Sequence, residues 1–281
     1  LKHELNDRVS RLLAERTGQD LAAERHWRIE NAAETVMREN GLEWTGDPIT
    51  LLTLMEDPAV ERQIVEAVLN NETYFFRDRP IFDKVTTHIL PEIAKANADT
   101  KTITIWSAAC STGQEPLSLA MLFLRQPALW ADWRIDIRAT DISDSALASA
   151  RRGVYSNFEV QRGLGVTEML NFFDDTPAGW RVRPAVMRNI RFTRHNLLDA
   201  PPMLGAFDLV LCRNVLLYLQ RDARARVAAN LASSMKHGGI LLVGGGEVVS
   251  GAEGLLAPME NAAGFYTRRA VPAAPGLRKS A

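Results

Sequence analysis

From residue 3 to residue 97 the apolar positions recur at helical spacing. Leu5, Val9, Leu12 and Leu13 form one such stripe, Leu51, Leu52, Leu54 and Met55 a second, and Ile64, Val65, Val68 and Leu69 a third. Nothing in this stretch reads as a strand, so an all-α N-terminal region is expected. At Thr102 the rhythm changes to short apolar runs alternating with amphipathic segments. The pattern predicts strands at 102–106, 134–140, 207–212 and 239–243, with helices at 113–126, 143–152 and 221–236 between and around them. Such alternation builds a parallel sheet covered by helices on both faces. Between Tyr155 and Asn196 the alternation lapses. The turn from Asp174 to Gly179, followed by Trp180-Arg-Val182 and later by Asn189-Ile-Arg-Phe192, predicts a small antiparallel insertion.

The first strand runs into Ser107-Ala-Ala-Cys-Ser-Thr-Gly-Gln-Glu115. Small side chains in a strand-to-helix turn let the backbone approach a bound molecule, and the helix start offers unpaired N–H groups. The turn has neither the Gly-x-Gly-x-x-Gly of a dinucleotide site nor the Gly-Lys-Ser/Thr of a phosphate loop. An adenosine ligand without a pyrophosphate is therefore favoured, and S-adenosylmethionine fits that description, with Glu115 facing its ammonium or sulfonium end. The next strand ends in Asp141, where open α/β sheets place a carboxylate on ribose hydroxyls. Ser143 can cap the following helix, which leaves Asp141 for the ligand. After the buried run Phe207 to Cys212 come Arg213 and Asn214, groups that must meet a ligand, a carboxylate or backbone, with Tyr218 one turn on. Asn71-Glu-Thr-Tyr-Phe-Phe-Arg-Asp78 closes the helical region; alone it is weak evidence for a site, the other reading being an aromatic anchor with Arg77 paired to Asp78 or Asp83.

Composition narrows the classes. A net charge of −1 gives no global drive toward nucleic acid or anionic membrane, and no apolar run is long enough to span a bilayer. A cytoplasmic protein that binds no nucleic acid and does not insert in membranes is expected. Cys110 and Cys212 lie in apolar stretches, with no Cys or His clustering for a metal site, and read as buried thiols. The segment 271–281, rich in Pro and Ala, reads as a linker, and the chain as a domain of a longer protein.

Taken together and in order, Asn71–Asp78, Trp106–Pro116, Ala139-Thr-Asp-Ile142, Asn196-Leu-Leu198 and Phe207–Tyr218 resemble the signature stretches of the CheR family, a likeness running from about residue 8 to residue 270. It implies an N-terminal helical domain (1–78) joined to a Rossmann-like class I methyltransferase domain (79–270) that carries a β-subdomain at about 155–195. It implies a monomeric S-adenosylmethionine-dependent protein-glutamate O-methyltransferase, leaving S-adenosylhomocysteine and acting on the cytoplasmic coiled coil of methyl-accepting chemoreceptors. Carried over residue by residue, it puts Asn71, Thr73, Arg77, Glu115, Asp141, Asn196, Leu197, Arg213 and Asn214 around the cofactor. Arg77 and Tyr218 fall nearest the methyl group. The alternatives are a CheR-like methyltransferase of another signalling pathway and a cofactor-binding scaffold without transferase activity.

The chain departs from the family pattern in three places. Arg25, Arg28 and Arg38, where the family carries an arginine-rich helix, are interleaved with Glu24, Glu30, Glu34 and Glu39, so another surface, including Arg8 and Arg11, could meet an acidic partner. The turn Asp174–Gly179 is short, which predicts the type that does not dock on a receptor's C-terminal pentapeptide. Gly244-Gly-Gly-Glu247 stands where the family tends to show Gly-His-Ser-Glu.

Overall fold

The computed structural model describes residues 1–260 and 262–269; the predicted linker at 271–281 lies outside them. Four helices, α1 (Lys2–Thr17), α2 (Trp27–Glu39), α3 (Pro48–Leu54) and α4 (Pro58–Val68), make up the N-terminal region, as the spacing predicts. Helices α3 and α4 begin alike. Asp47 and Asp57 accept hydrogen bonds from the N–H groups of Ile49 (3.1 Å) and Ala59 (2.8 Å), and a proline takes the first helical position, where its missing N–H costs nothing. The stripes legible in sequence meet in one apolar cluster that includes Leu5, Val9, Leu13, Leu51, Met55, Ile64 and Val68.

Helix α5 (Arg79–Lys84) passes through a π-type turn at Val85–Ile89 into α6 (Leu90–Ala96), which delivers the chain to β1 (Thr102–Ala108). There follow α7 (Gln114–Leu124), α8 (Pro127–Trp130), β2 (Arg134–Asp141) and α9 (Asp144–Arg152). The insertion holds β3 (Val154–Tyr155), α10 (Asn157–Gln161), α11 (Val166–Phe172), β4 (Phe173–Thr176), β5 (Gly179–Val182) and α12 (Pro184–Met187). The chain then runs through β6 (Ile190–Arg194), β7 (Phe207–Cys212), α13 (Arg221–Ser234), β8 (Met235–Val243), β9 (Leu256–Pro258) and β10 (Phe265–Arg268).

The main sheet has the order β6-β2-β1-β7-β8-β10-β9, parallel from β6 to β8 and antiparallel at β10 and β9; the small sheet, β3-β5-β4, is antiparallel throughout. Strand β7 is buried on both faces, and its alternation sorts side chains between two cores. Leu209 and Leu211 pack with α7 residues such as Leu117, whereas Val210 and Cys212 pack with α13 residues such as Leu231.

Three expectations need correction. The segment at Ile190 does not belong to the antiparallel insertion: it is the edge strand of the main sheet, parallel to β2 in the register Ile137↔Ile190. Its alternation Ile-Arg-Phe-Thr-Arg reflects a half-exposed edge, which in sequence looks like a hairpin strand. Strand β8 begins at Met235 rather than 239, and β9 and β10 were not foreseen, being only three and four residues long.

Candidate active site

The carboxyl ends of β1, β2 and β7 open into a cleft with about 960 Å³ of empty space, part of it open to solvent. This is where a doubly wound sheet binds ligands. Asn71, Thr73, Arg77, Glu115, Asp141, Asn196, Leu197, Arg213, Asn214 and Tyr218 all line it. Residues separated by more than a hundred positions in sequence thus share one wall system.

The turn after β1 is held in a conformation that few L-residues adopt. Ala109 (φ 60°) and Ser111 (φ 51°) are left-handed, as are Phe76, Asp78 and Asn214 on the facing walls. Such strain persists where surrounding bonds over-determine it, and here they do. The Ser111 N–H donates to Asp141 Oδ2 (2.7 Å), the Ser111 hydroxyl to the Asn71 carbonyl (2.7 Å), and the buried Tyr155 hydroxyl of β3 to the Thr112 carbonyl (2.7 Å). Burial pushes the Tyr155 phenol up from its ordinary value, so it stays a donor.

Asp141 is more engaged than the sequence suggests. Ser143 does cap α9, accepting from the Ala146 N–H at 3.1 Å, yet Asp141 is not left free. Its second oxygen accepts from the Ser143 N–H at 2.9 Å. A carboxylate only 6% exposed needs such donors, and its two oxygens have acceptor capacity beyond these bonds. Desolvation raises its pKa above the ordinary value; the N–H groups of Ser143 and Ser111 oppose the shift.

Arg213 joins three elements. Its side chain is 2% exposed; Nη1 donates to Glu115 Oε2 on α7 (3.2 Å), and Nη2 donates to Asp78 Oδ2 (2.6 Å) and to the Arg77 carbonyl (2.9 Å). The other Glu115 oxygen accepts from the Ser107 hydroxyl at 2.8 Å. Asp78 therefore pairs with Arg213, not with Arg77. Arg77 lies instead over the Tyr74 ring, 5.5 Å from its centroid, and donates to the Glu72 carbonyl at 3.0 Å.

The segment Asn71–Asp78 is both anchor and wall. Phe75 packs edge-on against Tyr155 and Phe173, and Phe76 lies under the guanidiniums of Arg79 and Arg125, which both pair with Glu168 of α11. Gly163 (φ +109°) abuts the Phe75 carbonyl so closely that a Cβ would lie 1.9 Å from its oxygen.

Sequence reasoning gave no role to two contributions. The first is Glu247, 7% exposed, whose Oε2 accepts from the N–H groups of Asn214 (2.7 Å) and Gly244 (2.7 Å) and whose Oε1 accepts from Leu217 (3.1 Å). This one carboxylate fixes the loop that presents Arg213, Asn214 and Tyr218. A lone acid after the buried strand β8, set among glycines, was the available signal. The second is the N-terminal region, which supplies Thr17, Gln19, Leu69 and Asn70 to the cleft. It is stitched to the sheet there: Asp20 N–H to the Tyr218 carbonyl (2.7 Å), Gln220 N–H to the Gly18 carbonyl (2.8 Å), and Asn196 Nδ2 to the Arg16 carbonyl (2.7 Å). The Tyr218 hydroxyl accepts from Asn70 Nδ2 at 2.8 Å, and Arg25 lies 5.2 Å over its ring.

The suggested basic surface changes accordingly. Arg25 faces Tyr218 and Arg28 donates to the Val68 carbonyl, while Arg8 is drawn inward to the Met55 carbonyl (2.8 Å) and Glu61 (3.2 Å). Arg11 and Arg38 are exposed. Arg8 thus belongs to the packing of α1 on α3 and α4 rather than to an open surface.

The donor set suits a zwitterionic adenosine ligand. Carboxylates at Asp141 and Glu115 and cations at Arg77 and Arg213 line one cleft, and two buried nitrogens in its walls, His195 Nε2 and Arg213 Nε, lack a hydrogen-bond partner among the described residues. Among the described residues no His, Cys, Asp or Glu cluster could hold a metal, and no helix is long and apolar enough to cross a membrane.

Comparison with known proteins agrees with this chemistry. Residues 71–265 match the family described as "CheR methyltransferase, SAM binding domain". The chain is 33% identical over 245 residues to chemotaxis protein methyltransferase 1 of Pseudomonas aeruginosa, covering 85% of this chain and 89% of that protein. It is 41% identical over 192 residues to a chemotaxis protein methyltransferase of Vibrio parahaemolyticus, covering 66% of this chain and 68% of that protein. The matched span starts at the first cleft-lining asparagine of the aromatic segment and takes in the carboxylates Glu115 and Asp141 and the Arg213–Tyr218 loop: the chain belongs to the CheR methyltransferase family, and S-adenosylmethionine is its cofactor.

Proposed function

We propose that the protein transfers the methyl group of S-adenosylmethionine to glutamate side chains in the cytoplasmic coiled coil of methyl-accepting chemoreceptors, as a cytoplasmic monomer of the pentapeptide-independent type. The observation that carries this reading is the meeting of Arg77 and Tyr218 in a cleft whose other walls suit the cofactor. The relatives' names, chemotaxis protein methyltransferases, support the receptor as acceptor. The tight β4–β5 hairpin, pairing Thr176 with Gly179, supports the pentapeptide-independent type. We read residues 1–78 as the helical domain and 79–270 as the methyltransferase domain, the two sharing the cleft.

The bound cofactor supplies an electrophilic methyl group. A glutamate acceptor is already ionised near neutral pH, so no strong base is required. What the chain contributes is alignment. In this reading Asp141 holds the ribose, Glu115 and Arg213 face the amino-acid end, and Asn71, Thr73, Asn196, Leu197 and Asn214 complete the walls. Arg77 orients the acceptor carboxylate, and Tyr218, held by Asn70, shapes the methyl channel.

The test is incubation with methyl-labelled cofactor and receptor cytoplasmic fragments, followed by mild alkali. A glutamate methyl ester releases its label as volatile methanol, and replacing the acceptor glutamates by alanine removes it. Base-stable label would show another acceptor. Cofactor binding without transfer to any fragment would show a binding scaffold.

A further inference from the structure

The mouth of the cleft already holds a carboxylate. Glu72 lines it, with its side chain 52% exposed, and its Oε1 accepts from Arg162 Nη2 at 2.7 Å. Arg162 comes from the insertion, at the end of α10, and lies 4.4 Å over the Tyr74 ring. Arg77 lies 5.5 Å over the same ring. Two guanidiniums thus share Tyr74, and Glu72 is bracketed by both: Arg162 by hydrogen bond first, then the charges of Arg162 and Arg77, hold its carboxyl below the ordinary range. A γ-carboxylate at the mouth, on an arginine beside Arg77, is chemically the same group as the acceptor proposed above.

We propose that Glu72 occupies Arg162 as a latch, and that an acceptor carboxylate displaces it, making Arg162 a substrate-binding residue that works beside Arg77. This rests on the glutamate-acceptor reading. An exposed ion pair adds little to stability, so exchanging one carboxylate for another on the same guanidinium is nearly free. The exchange also gives selectivity. An acidic acceptor can claim Arg162, whereas a neutral side chain would leave the Glu72 pair closed. Because Arg162 belongs to the insertion and Arg77 to the segment before α5, the acceptor would bridge the two and clamp the mouth.

The experiment is a double-mutant cycle on steady-state methylation of a receptor fragment, with cofactor affinity measured by calorimetry and folding by thermal melting. Arg162→Ala is expected to raise the acceptor KM about ten-fold, with kcat within about two-fold and cofactor Kd unchanged; Arg162→Lys recovers part of the loss. Glu72→Gln, which frees Arg162, is expected to lower KM about three-fold in the wild-type background and to have no effect in Arg162→Ala. A purely structural pair would make both single variants shift KM in the same direction. A general charge effect would make Glu72→Gln act equally in both backgrounds. Either result overturns the latch while leaving the glutamate reading intact; absence of any base-labile label with the wild-type protein overturns that reading, and the latch with it.

Discussion

Glu247 holds Asn214 in a left-handed conformation (φ 59°) by accepting its N–H at 2.7 Å, and the same carboxylate takes the N–H groups of Gly244 and Leu217. Three N–H donors, that of Gly244 buried and those of Asn214 and Leu217 partly so, therefore depend on one side chain. Glu247→Ala should cost about 3 kcal/mol, since each donor left without a partner costs about 1–3 kcal/mol and some will find water. At roughly 2–4 °C per kcal/mol the melting temperature should fall by about 6–12 °C. Gly244→Ala should act in the same direction, because its Cβ would lie 2.6 Å from Glu247 Oε2 and 2.8 Å from the Asn214 nitrogen. Calorimetric melting of both variants checks this; unchanged melting would show the loop held by other contacts.

The two residues proposed to lie nearest the methyl group should behave differently. Arg77 is half-buried at the mouth and, among the described residues, makes no ion pair of its own, unlike Arg213. Arg77→Ala should lower kcat/KM by about 10²-fold, as expected when a positioning charge is removed. Tyr218→Phe keeps the ring and loses only the bond from Asn70 Nδ2, so its loss should stay below about ten-fold. Tyr218→Ala should exceed it. Equal losses for Phe and Ala would shift the role from ring to hydroxyl.

How much of this was legible in sequence depends on how local the cause is. The cap at Ser143 was readable because its partner, the Ala146 N–H, lies within five residues, and Asp141 because it ends an apolar strand, although its Ser111 partner lies 30 residues away. The buried run ending at Arg213 announced a cation needing partners, although Asp78 and Glu115 come from distant segments. What escaped notice was set by packing between segments far apart. Asn70 and Gln19 enter the cleft only because the helical region docks at Tyr218 and Leu219. The Ile190 strand was assigned to the wrong sheet because its alternation reports exposure on one face, and edge strands of parallel and antiparallel sheets share that property.

The thiols give an inexpensive check on the fold. Cys110 and Cys212 are buried, and desolvation, reinforced by the carboxylates Asp141 and Glu115 for the first and Glu247 and Glu115 for the second, pushes both pKa values well above 9.0. Thiolate is the reactive form. Neither should react with a disulfide reagent at pH 8 in the native protein, and both should react in denaturant. Rapid native labelling at Cys110, which lines the cleft, would show the turn after β1 opening to solvent.

With the ribose on Asp141, as proposed, cofactor binding is linked to pH. Burial raises the Asp141 pKa above 3.8 in the folded chain, so its ionised form costs stability. The stability linked to this group is fully present below the unfolded value and is lost as pH rises through the raised folded value. Binding runs the opposite way. A ribose hydroxyl donates to a carboxylate, so affinity should be full where Asp141 is ionised and should fall as pH drops toward its raised pKa, sooner than for an exposed aspartate. Asp141→Asn removes the charge and one acceptor, leaving either the Ser111 or the Ser143 N–H facing an amide NH₂. Calorimetric titration with S-adenosylhomocysteine from pH 8 down to the acid limit of folding should show a falling affinity in the wild type. The variant should bind at least about ten-fold more weakly and with a flatter profile. A wild-type affinity unchanged across that range, together with normal binding by Asp141→Asn, would remove Asp141 from the ribose and leave it only its bonds to the turn.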